Sequence, residues 1–173
     1  MSKHRSSTTP RRKIAITALA VAAVGVPSAA MASQSAASTG SPSTASAAAT
    51  DQQEVVDLVN SERDKAGCEP LTVDKKLTKA AQDHSEDMAA HRNMSHTGSD
   101  GSSPGDRIER AGYSWSSYGE NVAYGYDSPK SVMEGWMNSS GHKANILNCD
   151  FKEIGVGVAQ PGNYWTQDFG TAR

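Results

Sequence analysis

The sequence predicts an α+β domain in which helices come first and strands last, the strands forming an antiparallel sheet. Three observations carry this. Apolar residues recur at helical spacing from Val55 to Met88, Ser128-Pro129 opens a third helix, and a period-2 run at Ile154 is followed by a turn and a returning strand.

Val55, Val56, Leu58 and Val59 fall on one face of a helix over residues 51–66, which Gly67 stops. Leu77, Ala80, Ala81, His84 and Met88 stand at i, i+3, i+4, i+7 and i+11, the stripe of a second helix ending near Arg92. In the third helix Ser128 caps, Pro129 takes the first position, and Val132, Met133 and Trp136 face inward. Residues 118–123 read as a short strand. Ile154, Val156 and Val158 alternate with Gly155, Gly157 and Ala159. Pro161-Gly162-Asn163 turns the chain, and residues 164–169 return as the second strand of a hairpin.

The chain has 173 residues, 36% hydrophobic and 21% charged, enough for one modest core but not two. Its net charge of −2 conceals an asymmetry. Residues 1–50 hold Lys3, Arg5, Arg11, Arg12 and Lys13 and no acid, so residues 51–173 carry 12 basic against 19 acidic residues, a net −7. Phosphate-backbone affinity comes mainly from Lys and Arg, and this balance argues against nucleic-acid binding.

The first 32 residues read as a secretory signal peptide. A positive stretch ends at Lys13, an apolar run covers residues 14–26, Pro27 breaks it, and Ala30-Met31-Ala32 supplies the small-x-small cleavage site. The run is shorter than the about 20 residues of a spanning helix, which favours secretion over a membrane anchor. Arg11-Arg12 leaves the export route open between general secretory and twin-arginine. Residues 33–50 follow as a linker, with Ser, Ala or Thr at 15 of 18 positions and nothing large and apolar to bury. The domain is then 51–173, extracellular, with no spanning segment after cleavage.

Cys68 and Cys149 are the two cysteines, and two cysteines in an exported chain are expected to pair. Several other matches carry no chemistry. Gly101-Ser102-Ser103-Pro104-Gly105 fits the G-x-S-x-G nucleophile elbow, but that motif needs a buried strand before it, and residues 96–100 read as loop. His84 and His91 lie about 10 Å apart along a helix, too far to share one ion. His84 belongs to the apolar stripe as a hydrogen-bonded core histidine. Asp100 and Asp106 bracket a Gly-Ser loop that matches no calcium template, and Asn93 and Asn138 open formal glycosylation sequons.

What remains is an ordered set of short words: Met94-Ser95-His96; Gly119-Glu120-Asn121; the run from Gly135-Trp136 through Ser140-Gly141-His142 to Asn145-Ile146-Leu147; Gly155-Val156-Gly157; and Tyr164-Trp165-Thr166-Gln167-Asp168-Phe169-Gly170. Over roughly residues 53–171 the chain resembles the CAP superfamily of cysteine-rich secretory, antigen five and pathogenesis-related proteins, and within it the bacterial SCP-domain branch. The resemblance implies an α-β-α sandwich around a central antiparallel sheet. It also implies secretion and a cleft of two histidines and two glutamates that in some members holds zinc or another divalent cation.

On this chain His96 matches the first histidine and Glu120 the glutamate of the G-E-N word. The second glutamate is expected three residues after the helix tryptophan, where Ser139 stands. The second histidine is expected where Tyr164 opens its word. The bacterial branch offers His142 instead, three residues after Ser139 and on the same helical face if the helix continues across Gly141. His96, Glu120 and His142 then make a two-nitrogen, one-carboxylate set of the kind that leaves zinc an open position. Asn121, Ser139, Asn145, Tyr164 and Gln167 support the cleft. No nucleophile–base pair stands out, so the reading leans away from an enzyme. Three functions follow. The first is a secreted interaction module for a lipid, a cell-wall fragment or a partner protein. The second is a metal-dependent hydrolase or peptidase on His96, Glu120 and His142. The third is an envelope or stress protein with a vestigial cleft.

Overall fold

A computed structural model describes residues 44–173. The signal peptide (1–32) and residues 33–43 of the linker lie outside the described residues. Helix α1 spans Thr44–Ala66, β1 Thr72–Val73, α2 Lys75–His91, α3 Pro104–Arg110, β2 Trp115–Tyr124, α4 Pro129–Met137, α5 Ser140–Ile146, β3 Glu153–Ala159 and β4 Tyr164–Ala172. The linker boundary therefore shifts, because residues 44–50 belong to α1. The alanines at 45 and 47–49 are the strongest helix formers, and propagation from an existing helix needs no new nucleus.

The sheet runs in the order β1-β3-β4-β2. Strands β3, β4 and β2 are antiparallel as expected, while β1 pairs in parallel with β3. The expected antiparallel sheet is formed by β3, β4 and β2, and β1 adds a two-residue parallel edge to it. Four helices and strand β2 separate β1 from β3, a connection long enough to allow parallel pairing.

Helices α1, α4 and α5 cover one face of the sheet and α2 and α3 the other, giving the three-layer sandwich. The larger core lies on the α1 side, where Val55, Val59, Val132, Trp136 and Ile146 meet Ile154, Val156, Trp165 and Phe169. The alternation read in β3 has its cause on the opposite side. A Cβ on Gly155 would stand 2.0 Å from the Leu77 carbonyl carbon, and one on Gly157 2.4 Å from that of Ala81. Only glycine lets the α2 backbone rest directly on the strand.

Helix α2 is capped by Asp74, which accepts from the Lys76 and Leu77 amides, and ends at Arg92 in the left-handed region, φ 50°. Ser128 caps α4 as read. Helix α3 was not anticipated. Its cap is Ser103, in a capping box with Asp106. That hydroxyl donates to Asp106 Oδ2 at 2.7 Å and no strand precedes it, so the G-x-S-x-G match is a helix cap.

The segment before β3 is tied to the end of α1 in two ways. Cys68 and Cys149 form the expected disulfide, with Cα atoms 5.0 Å apart. Beside it Arg63, fully buried, donates from Nε to Glu69 O, from Nη1 to Ile146 O and Asn148 O, and from Nη2 to Phe151 O.

Candidate functional site

Strand β2 is an edge strand, and successive side chains leave it toward opposite faces. The G-E-N word therefore divides its labour. Asn121 points to the α5 side and donates to Gln167 Oε1 at 3.0 Å and to the His142 carbonyl at 3.1 Å. Asn145, on α5, donates to Asn121 Oδ1 at 2.9 Å and to the Glu120 carbonyl at 3.1 Å. This amide network pins α5 to the free edge of the sheet and sets where His142 stands. Asn121, Asn145 and Gln167 thus form one amide network between α5 and the sheet.

Glu120 points to the α2 side, with its side chain 1% exposed. Its Oε1 accepts from His96 Nδ1 at 2.7 Å, and its Oε2 from Arg107 Nη2 at 2.6 Å. Arg107, itself buried, also donates from Nη1 to Ser102 O at 2.9 Å. A buried carboxylate needs such compensation. The Glu120 hydrogen bond raises the His96 pKa above its ordinary value, against the lowering effect of partial burial.

Directly across the ladder from Glu120 lies Asp168, 1% exposed, with no aligned hydrogen bond to either carboxyl oxygen. Burial, reinforced by the Glu120 charge, pushes it well above the carboxylate range and favours the neutral acid. Neither Arg107 nor Asp168 was found by sequence reading. The Ser-Pro start recognised at Ser128 is repeated at Ser103-Pro104, and following it would have revealed α3 and its inward arginine.

His142 lies on α5, half-buried, and its ring nitrogens accept and donate no hydrogen bond among the described residues. Partial burial, with the charge of His96 adding, lowers its pKa. Ser139 is the N-cap of α5, extended at φ −106° and ψ 120°. The expectation of one continuous helix through Ser139 and His142 is corrected, since the break falls at Ser139 itself. Tyr164 is buried and stacks on Tyr124 with ring centroids 5.7 Å apart. Met94, Tyr124, Tyr126, Trp136, Ser139 and His142 line an open cleft of about 280 Å³.

The structure thus joins His96 to Glu120, while His142 borders the neighbouring cleft. Among the described residues no group of three His, Cys, Asp or Glu side chains is arranged to hold a metal ion. A zinc ion held directly by His96, Glu120 and His142 would have to share or displace the hydrogen bonds that both Glu120 oxygens accept. His84 is the core histidine expected, 1% exposed, with Nε2 donating to Ser95 O at 2.8 Å.

The family model for the cysteine-rich secretory protein family, CAP, matches residues 56–169. The chain belongs to the CAP family. It is 41% identical over 124 residues to the uncharacterized protein YkwD of Bacillus subtilis (strain 168), covering 72% of this chain and 48% of that protein. Among solved structures, an extracellular protein containing an SCP domain from Bacillus anthracis superposes with a TM-score of 0.71 at 30% identity, covering 76% of this chain and 45% of the other. An outer surface protein of Borrelia burgdorferi shares the fold, with a TM-score of 0.67 at 24% identity over 72% of this chain and 94% of its own. The CAP chain thus spans less than half the length of YkwD and of the Bacillus anthracis protein. None of the described helices of this CAP domain is long and apolar enough to cross a membrane.

Proposed function

We propose that this CAP domain is a secreted interaction module whose cleft beside β2 holds an extracellular ligand. One observation carries the reading. Among the described residues four large apolar side chains are exposed, namely Val73, Met94, Tyr124 and Tyr126, and the last three line the same cleft. Converging exposed apolar groups mark interaction sites more often than scattered ones. The engagement of Glu120 by Arg107 and His96 weighs against a hydrolase in which Glu120 itself is the base that activates water. Purified peptidoglycan sacculi are the first probe, because a cell-wall fragment is among the ligands the reading names. Sacculi should retain the full chain on sedimentation, with retention falling at least severalfold in the Tyr124→Ser/Tyr126→Ser variant. Equal retention of both proteins would remove the cleft from the account.

A divalent-ion site on His96 and His142 is the second reading, favoured by the two imidazoles whose charges interact. Calorimetric titration of the chelator-stripped chain with zinc separates the two. The module reading expects no saturable heat. A saturable site lost in both His96→Ala and His142→Ala would carry the metal reading, and its affinity would fall with pH as the imidazoles protonate.

A further inference from the structure

The cleft borders β2, one edge of the sheet. Toward the other edge, β1 covers only Glu153 and Ile154 of β3, so residues 155–159 have no strand beyond them. A groove of about 850 Å³ follows these residues, walled by α1 at Ala48 and Gln52 and by α2 at Thr78 and Gln82. Val73, the exposed apolar residue that the cleft does not use, lines it as well. The main-chain groups of every second β3 residue face away from β4. Ile154 O accepts from Asp74 N at 3.0 Å, and by alternation the groups of Val158 point the same way. At Val158 a side chain stands where a strand would. Gln82 Nε2 donates to Val158 O at 3.1 Å, and Gln82 Oε1 accepts from Val158 N at 3.1 Å. One amide exchanging both bonds with one residue is the pattern of a hydrogen-bonded pair in an antiparallel ladder. Gln52 Nε2 donates to the same Oε1 at 2.8 Å, and Gln82 Nε2 also donates to Glu86 Oε1 at 2.9 Å. Gln82 is partly exposed, so rotation about its own side-chain bonds uncovers both groups of Val158 without moving α2.

The charges along the groove decide what enters it. Helix α2 runs beside β3 in the same direction, with Leu77 and Thr78 against Gly155 and Ala81 and Gln82 against Gly157. Lys75 and Lys79 therefore stand toward the start of β3, and Asp83 and Glu86 toward its end. Lys79 and Asp83 also pair with each other at 2.7 Å, an exposed contact of little value. Lys75 and Glu86 then mark the two ends, and Glu86 is freed whenever Gln82 leaves. An extended peptide antiparallel to β3 sets a basic first residue against Glu86 and an acidic last residue against Lys75. The bonding of Gln82 to Val158 is antiparallel too, so charge and hydrogen bonding agree on the direction. A second copy of the chain fits less well, because its own β3 lies at the floor of an identical groove. We infer that the groove between α1 and α2 binds a short extended peptide as an added strand antiparallel to β3, which takes over from Gln82 both hydrogen bonds of Val158. The assignment is independent of the cleft reading, since the two sites lie at opposite edges of the sheet and share no lining residue.

The probe is the acetylated and amidated peptide Lys-Thr-Val-Thr-Glu, whose valine lies opposite Val158 and on the same face of the sheet. In an NMR titration of the uniformly ¹⁵N-labelled full chain, saturable shifts are expected at the amides of residues 156–160 and at the Gln82 side-chain amide. Methylating the valine nitrogen of the probe removes the donor that Val158 O requires and should abolish them. The reversed sequence, Glu-Thr-Val-Thr-Lys, should bind at least severalfold more weakly. Gln82→Ala keeps a strong helix former and removes the competing amide, so it should tighten binding severalfold. The proposal is overturned if the probe gives no saturable shift, if the methylated or reversed peptide binds as well, or if the shifts fall at Tyr124 and Tyr126 instead. It is equally overturned if Gln82→Ala binds no more tightly than wild type. A concentration-dependent dimer of Gln82→Ala in sedimentation velocity that excludes the probe would assign this edge to a second copy and contradict the peptide.

Discussion

Arg63→Ala is expected to lower the unfolding free energy by about 4 kcal/mol, because a buried guanidinium with several partners leaves several orphans behind. Its hydrogen bonds to the carbonyls of Glu69, Ile146, Asn148 and Phe151 run from 2.8 to 3.1 Å. Those carbonyls belong to the turn after α1, to the last residue of α5 and to the segment between α5 and β3, and that of Asn148 also accepts from the Phe151 amide. Lysine keeps the charge but offers a point rather than a planar fork, so Arg63→Lys should lose about half as much. Urea unfolding measures both variants, with the midpoint falling and the slope unchanged. A loss below about 1 kcal/mol for alanine would mean that water replaces the guanidinium at little cost.

Removing the disulfide should cost a similar amount. Cys68 and Cys149 are 81 residues apart in sequence, and in the chain-entropy treatment a closed loop of that length is worth about 4–5 kcal/mol. The Cys68→Ala/Cys149→Ala variant, unfolded in urea beside wild type, gives the value, and thiol labelling of the denatured, unreduced wild type should find no free cysteine. Cys149 follows Asn148, whose carbonyl Arg63 holds, so the two devices restrain the same segment. Combining the cysteine and Arg63→Ala changes should therefore destabilise by less than the sum of the separate effects. Strict additivity would show that the two ties act independently.

Local patterning explains which parts of this fold were legible. The stripes through Val55 and Leu77 and the Ser128-Pro129 start are signals within one or two turns of chain, and each marks a helix, although α1 begins seven residues before the stripe predicts. Strand β1 has two residues, too few for any period to appear. Helix α3 follows a Gly-Ser run that reads as loop, so its Ser-Pro cap passed unnoticed. The site followed the same division. His96 and Glu120 were found as words and do meet, whereas Arg107 depends on packing between α3 and β2, which no local spacing encodes. The Ser139 break and the separation of Asn121 from Glu120 by the sheet itself are consequences of strand register and helix capping in three dimensions. Arg63 reads as one more charge on a surface helix, and only the return of the chain at residues 146–151 makes it buried.

The clamp on Glu120 is the centre of this account, and the titration of His96 reports on it most directly. Because the Glu120 hydrogen bond raises the His96 pKa, the folded state binds this proton more tightly than the unfolded chain. The stabilisation is fully present below about pH 6.5, the ordinary histidine value, and is lost as pH rises through the raised folded value. Two-dimensional NMR of the full chain should place the His96 midpoint above 6.5 in wild type and lower it clearly in Glu120→Gln. A wild-type midpoint at or below 6.5, unmoved by Glu120→Gln, would mean that Glu120 is not bound to His96 and is free for other chemistry.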